Sequence, residues 1–206
     1  ERQGLQSLSW PELGHQVRVL ATRLRALGLQ VGDRVVAYLP NSPEAVVAML
    51  ATVSVGAIWA SCGPDFGVRG VVDRFAQLAP KVAFCVDGYH YGGKTFDRRA
   101  EVSTILGQLP TLEQVIHLRH LDRADPSSPT AHSVTWEQAL AGPAVPRESF
   151  VYEQVPFAQP LWILFSSGTT GLPKPIIHCH GGITLEQYKS HAFHIDVHSR
   201  ERMFFF

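Results

Sequence analysis

The 206-residue chain balances 18 Lys+Arg against 18 Asp+Glu, a formal charge of zero, which leaves no basic field for nucleic acid and no polybasic patch for a membrane surface. Its apolar share of 45% with 10% aromatics suits a soluble domain with a sizeable core, and no apolar run approaches the ~20 residues that span a bilayer. Three widely spaced cysteines, Cys62, Cys85 and Cys179, fit free thiols in a reducing, cytoplasmic setting better than a disulfide frame.

Ser9-Trp10-Pro11-Glu12 predicts a helix start, with Ser9 as N-cap, Pro11 in the first turn and Glu12 completing a capping box. Leu13, Val17, Leu20, Leu24 and Leu27 recur at helical spacing and Gly28 ends the element, while Arg18, Arg23 and Arg25 read as solvated charges on its polar face. Val35 to Leu39 is apolar on both faces, as a central parallel strand is. Pro40-Asn41-Ser42-Pro43-Glu44 caps a helix over 45–55, Gly56 stops it, and Ile58-Trp59-Ala60 is the next strand. Strand, helix, strand without a hairpin signal is a βαβ crossover. The turn-rich run Ser61 to Gly67 then falls where open α/β sheets place ligands, past a strand's carboxyl end. A helix over 68–78, a strand over 82–86, a glycine-rich loop over 87–94, a helix over 96–109 and a strand over 115–118 continue the alternation. Residues 119–134 read as a long surface connection, Thr135-x-x-Gln138 as a second capping box, and 142–160, with its prolines, as irregular. The expected fold class is α/β, with alternating strands and helices.

The strongest chemical signal is Phe165-Ser166-Ser167-Gly168-Thr169-Thr170-Gly171-Leu172-Pro173-Lys174, which follows the apolar strand Leu161 to Phe165 and precedes a strand over 175–178 and a helix over about 182–193. Its hydroxyls and free backbone N–H groups donate to phosphate oxygens, and Gly168 and Gly171 allow turns that gather N–H groups into one concavity. Lys174 adds a mobile charge behind the stiff Pro173. A Walker A loop needs Gly-Lys adjacent, and Pro173 precludes it. His178-Cys179-His180 would put two histidines on one strand face, but no further Cys/His cluster joins them, so hydrogen-bonded histidines are expected and no metal is assigned.

The order of residues in that loop is similar to the Ser/Thr-Gly-Thr-Thr-Gly-x-Pro-Lys signature of the acyl-adenylate-forming synthetases, which include acyl-CoA synthetases, luciferases and peptide-synthetase adenylation domains. The resemblance runs along nearly the whole chain, through Leu8-Ser9-Trp10-x-Glu12-Leu13, Gly32-Asp33-Arg34-Val35, Leu39-Pro40-Asn41 and Gly56-Ala57-Ile58-Trp59. Residues 1–206 thus look like the front half of the family's large N-terminal domain. Ser61 to Gly67 and Asp87-Gly88-Tyr89-His90-Tyr91-Gly92-Gly93-Lys94-x-Phe96-Asp97 resemble the acetoacetate-activating branch more than the acetyl- or propionyl-CoA branches.

The resemblance implies two half-reactions, formation of acyl-AMP and pyrophosphate from an acid and ATP, then thioester formation with CoA. It assigns Ser166, Ser167, Gly168, Thr169, Thr170, Gly171 and Lys174 to the ATP phosphates, with Lys174 catalytic. It assigns Tyr91, Gly92, Gly93 and Lys94 to CoA, and implies Mg2+ carried in with ATP. The partners it implies are the small-molecule acid, ATP and CoA. One departure is Pro175, where the family usually has a small residue; proline there removes an N–H from the loop exit. The family's downstream motifs and small C-terminal domain are expected beyond Phe206, and Met203-Phe204-Phe205-Phe206 reads as the start of a buried strand, so the chain is expected to be cut inside a domain and inactive alone. Other readings are a degenerate copy serving as an interaction module and another adenylating branch; a kinase or P-loop NTPase is disfavoured by Pro173.

Overall fold

The computed structural model describes residues 7–125, 127–166 and 171–203. In chain order the elements are α1 (Trp10–Ala26), β1 (Arg34–Tyr38), α2 (Pro43–Ser54), β2 (Ile58–Cys62), α3 (Val68–Phe75) and β3 (Val82–Val86). There follow β4 (Gly88–Tyr91), β5 (Lys94–Asp97), α4 (Arg99–Gly107), β6 (Gln114–Leu118), β7 (Ser133–Thr135), α5 (Trp136–Leu140), β8 (Pro160–Ser166), β9 (Lys174–Cys179) and α6 (His180–Lys189). Seven strands form one sheet in the order β7-β6-β3-β1-β2-β8-β9, parallel throughout except for the antiparallel pair β8–β9. No helix among the described residues is long and apolar enough to cross a membrane.

The alternation along each central strand explains the layers. Val35, Ala37, Trp59, Val82, Phe84 and Ile116 point to one face, where they pack with α1, α2 and α5; Val36, Tyr38, Ile58, Ala60, Ala83, Cys85 and Val115 point to the other, under α3 and α4. Both faces are covered, so these strands are apolar on both sides, as the sequence predicts. Phe84 lies between Trp59 and Trp136 with ring centroids 6.1 and 6.3 Å apart. Burying such a ring is worth roughly 2–3 kcal/mol before packing terms.

Sequence and structure part company at several places. The predicted glycine-rich loop over 87–94 is a β-hairpin, β4–β5, separate from the main sheet. Its turn is Gly92-Gly93, with φ of +56° and +74°, a pair of left-handed positions that glycine takes without cost. Phe96 and Asp97 belong to β5, so α4 starts at Arg99 rather than at Phe96. Within the expected surface connection, Ser133–Thr135 pairs with β6 as a short strand. At α1 the Ser9 hydroxyl accepts from the Glu12 N–H at 3.3 Å, one half of the expected capping box. The Thr135–Gln138 box is complete in both directions, at 3.1 and 2.8 Å. Two of the arginines read as solvated are not: Arg18 donates to the Val145 carbonyl at 2.7 Å and Arg25 to the Val151 carbonyl at 2.8 Å, with its guanidinium 5.2 Å from the Phe150 ring centroid. These contacts tack the irregular 142–160 segment onto α1.

His117, on β6, is buried, and burial pushes its pKa below the ordinary 6.5, with the Arg119 charge acting in the same direction and Asp87 and Glu137 opposing. The folded pKa lies below the unfolded one, so the unfolded chain takes the proton first. Stability from neutral His117 is therefore complete above pH 6.5 and is lost as pH falls through that value, by up to about 1.4 kcal/mol per pH unit. Urea unfolding of the parent and of His117→Phe between pH 7.5 and 5 is expected to give the parent the steeper decline; identical slopes would show that His117 titrates as in the unfolded chain.

Candidate functional site

In an open α/β sheet the ligand crevice lies beyond the carboxyl ends of neighbouring strands whose connections leave on opposite faces. Here β1 meets that condition with both its neighbours, β2 and β3. The connection after β1 leads to α2 on one face, while the chain after β3 passes through the hairpin to α4 on the other. A cleft of about 750 Å³ opens above them. Its walls come from four segments: Leu39 to Ser42 after β1, Ser61 to Asp65 at the end of β2 and just beyond, Tyr89 to Tyr91 of the hairpin, and His120 after β6. One wall is aromatic. The His90 ring lies 5.9 Å from that of His120, and Tyr91 at the hairpin tip is 71% exposed. A flat heteroaromatic group can stack there.

The described ends of the loop singled out from the sequence lie at the same edge of the sheet. β8 runs parallel to β2 through the Trp59–Trp162 pair, so its last residue, Ser166, is at the carboxyl edge. The chain returns as β9, and Lys174 pairs opposite Ser166, closing the loop at its base. Ser167, Gly168, Thr169 and Thr170 lie outside the described residues. Of the rest, Gly171 has φ +141°, a backbone state that favours glycine. Pro173 is buried, and its carbonyl accepts from the Gln77 side-chain amide at 3.0 Å, which ties the loop exit to the short 3-10 turn after α3. Lys174 is exposed, has no acidic partner among the described residues, and opens the strand rather than ending the loop. β9 continues through Pro175, paired with Phe165, on the outer strand of the described sheet. At an edge a missing N–H is tolerated, so Pro175 leaves this pairing intact.

The other predicted contacts cluster at the hairpin tip. Tyr91 and Lys94 pair across the Gly92-Gly93 turn and all four residues are exposed. The loop facing the hairpin is held from below by Tyr38, whose hydroxyl lies 2.8 Å from both the Pro64 and Phe66 carbonyl oxygens and shares one proton between them. Burial raises the Tyr38 pKa to about 12, against the nearby Arg98 charge, so it stays a donor. Burial likewise pushes the Cys62 thiol up to about 11 and the Cys85 thiol up to about 12. Neither offers a thiolate near neutral pH. Tyr38, Arg98 and the four-segment cleft were not singled out from sequence; each gains its role only through contacts between distant segments.

His178, Cys179 and His180 do not converge on one point. The His178 ring accepts from the Trp162 indole N–H at 3.1 Å, Cys179 caps α6 by accepting from the Gly182 N–H at 3.4 Å, and burial lowers the His180 pKa. Among the described residues no group of three or more His, Cys, Asp or Glu side chains is placed to hold a metal ion.

Comparison with known proteins follows this geometry. The profile of the family described as AMP-binding enzyme matches residues 2–206. The chain is 46% identical over 199 residues to the acetoacetyl-coenzyme A synthetase of Rhizobium meliloti (strain 1021), covering 97% of this chain and 30% of that protein. It is 39% identical over 209 residues to the acetoacetyl-CoA synthetase of Mus musculus, covering 100% of this chain and 31% of that protein. Among solved structures, the acetoacetyl-CoA synthetase from Streptomyces lividans superposes with a TM-score of 0.86 at 52% identity, covering 93% of this chain and 28% of that one. The chain thus spans about 30% of the length of the relatives it matches. The match over the whole chain, on an α/β sheet with the glycine-rich loop at its carboxyl edge, means that this chain belongs to the AMP-binding enzyme family.

Proposed function

We propose that this chain is the front part of the large domain of an acid–CoA ligase that activates acetoacetate as acyl-AMP and then forms acetoacetyl-CoA. The observation that carries the reading is the position of Ser166 and Lys174, which bracket the β8–β9 loop, at the same sheet edge as the aromatic-walled cleft. Identities of 39–52% to acetoacetyl-CoA synthetases along nearly the whole chain support the choice of acid.

In the first step a carboxylate oxygen of the acid bonds to the α-phosphorus of ATP, and the bond from that phosphorus to the bridging oxygen of pyrophosphate breaks. Negative charge builds on the departing pyrophosphate. Hydroxyl and backbone donors of residues 166–171 and the Lys174 ammonium would stabilise that charge as it develops, and preorganised donors of this kind lower a barrier by about 3 kcal/mol each. Magnesium enters with the nucleotide phosphates. In the second step the CoA thiol sulfur, having lost its proton, attacks the acyl carbonyl and AMP departs with the bonding electrons. The hairpin tip, with Tyr91, Gly92, Gly93 and Lys94, is the part of this chain that would hold CoA, Lys94 meeting a CoA phosphate and Tyr91 the adenine.

The test is acid-dependent exchange of pyrophosphate into ATP by the full-length protein, comparing acetoacetate with acetate. Exchange with acetoacetate at least about tenfold faster than with acetate is expected, since a pocket built to hydrogen-bond a polar group discriminates by that much or more. Preference for acetate would move the substrate and keep the mechanism. A folded protein with no exchange for any acid would overturn the reading in favour of a degenerate copy.

A further inference from the structure

We propose that Arg98 is a positioning residue for the CoA-facing cleft, holding the 61–67 loop and the β4–β5 hairpin at a fixed separation. The inference rests on the CoA reading above and extends it to a residue that does not itself line the cleft.

The guanidinium of Arg98 meets three elements in three directions. Its Nε donates to the Pro64 carbonyl at 2.9 Å, in the loop after β2. One terminal nitrogen donates to Glu101 Oε1 at 2.7 Å, on the first turn of α4. The other reaches the Tyr89 hydroxyl at 3.4 Å, on the hairpin. The same cation lies 5.5 Å from the Tyr89 ring centroid and 6.0 Å from that of Phe96, and these two rings stack across β4–β5 at 4.9 Å. The Arg98 main-chain N–H donates to the Asp87 carbonyl at 2.7 Å, so the residue is also fixed at its root.

Pro64 and Tyr89 both line the cleft, from two segments that Arg98 joins. An isolated two-stranded ribbon is marginally stable, so where the hairpin sits depends on side-chain contacts such as these. Only a planar fork with several donors serves carbonyl, carboxylate and phenol together; a lysine ammonium keeps the charge and loses the geometry. Glu101 neutralises much of the cation, which suits a strut better than a phosphate-binding group. Releasing the strut lets the walls drift, and a ligand spanning both loses preorganisation.

The experiment uses the full-length protein with Arg98→Ala, Arg98→Lys, Tyr38→Phe and Lys94→Ala. In Arg98→Ala the KM for CoA is expected to rise about tenfold, with kcat at saturating CoA within about twofold, as loss of ground-state positioning predicts. Arg98→Lys is expected to recover little of this, and amide exchange over residues 63–66 and 88–97 to quicken together. Should Arg98→Ala fold poorly, Tyr38→Phe loosens the same loop from below and is expected to raise the CoA KM in the same sense. Full recovery by lysine would overturn the proposal in favour of a direct charge contact. An unchanged CoA KM in folded Arg98→Ala alongside a raised one in Lys94→Ala would overturn the positioning role alone. If neither moves the CoA KM, the CoA reading falls and this inference with it.

Discussion

Replacing Lys174 with alanine is expected to lower acid-dependent pyrophosphate exchange in the full-length protein by about 10²–10³-fold, the usual cost of removing one preorganised charge-stabilising donor. Its setting makes the test clean. Lys174 is exposed and has no acidic partner among the described residues, and its backbone is held by pairing with Ser166. Truncating such a side chain moves folding stability by no more than about 0.5 kcal/mol. The expected signature is thus a large loss of exchange with an unchanged urea midpoint. Lys174→Arg retains charge but swaps a compact ammonium for a planar fork, and is expected to fall between the two. Exchange within about threefold of the parent in Lys174→Ala would show that this lysine does not bear on the leaving group.

How much of this was legible in the sequence depends on whether a feature is local. α1, α2, β1, β2 and β3 follow from periodicity and punctuation, because their apolar faces are continuous in the chain. The capping box at Thr135 is local too, and it is fully formed. β7 was missed because Ser133-Val134-Thr135 has no apolar run; it is a strand only through pairing with β6. The β4–β5 hairpin carried its own signal, Gly-Gly between Tyr91 and Lys94, but composition favoured a loop. The signature of the loop after β8 could be read because ten consecutive residues spell it. The cleft could not, since its walls come from four segments between Leu39 and His120. Arg98 illustrates the limit. Beside Arg99 in sequence, it differs only in where its donors end up.

The largest effect on stability is expected at Asp87, at the junction of β3, the hairpin and α4. Asp87 is nearly buried, and its carboxylate accepts from three successive backbone N–H groups: His120 at 2.8 Å, Leu121 at 3.0 Å to each oxygen, and Asp122 at 3.2 Å. Its own N–H donates to the Leu118 carbonyl and its carbonyl accepts from Arg98. One side chain therefore satisfies the turn that follows β6, while its main chain joins that turn to the start of α4. Alanine at this position leaves three part-buried backbone donors without their acceptor, at a cost of about 2 kcal/mol, which lowers the urea midpoint by roughly 1 M in a domain of this size. Asparagine keeps one acceptor oxygen and is expected to lose about half as much. A local measurement separates this cause from a general loosening of the core: amide exchange at His120, Leu121 and Asp122 should quicken in Asp87→Ala, while the β1 and β3 amides follow only global unfolding. A midpoint within about 0.2 M of the parent would mean that the turn satisfies its donors without Asp87. His120 contributes to the cleft wall, so the same substitution is expected to disturb the site it does not touch. The Asp87 carboxylate thus holds backbone beside the hairpin's root and acts as scaffold for the cleft wall above it.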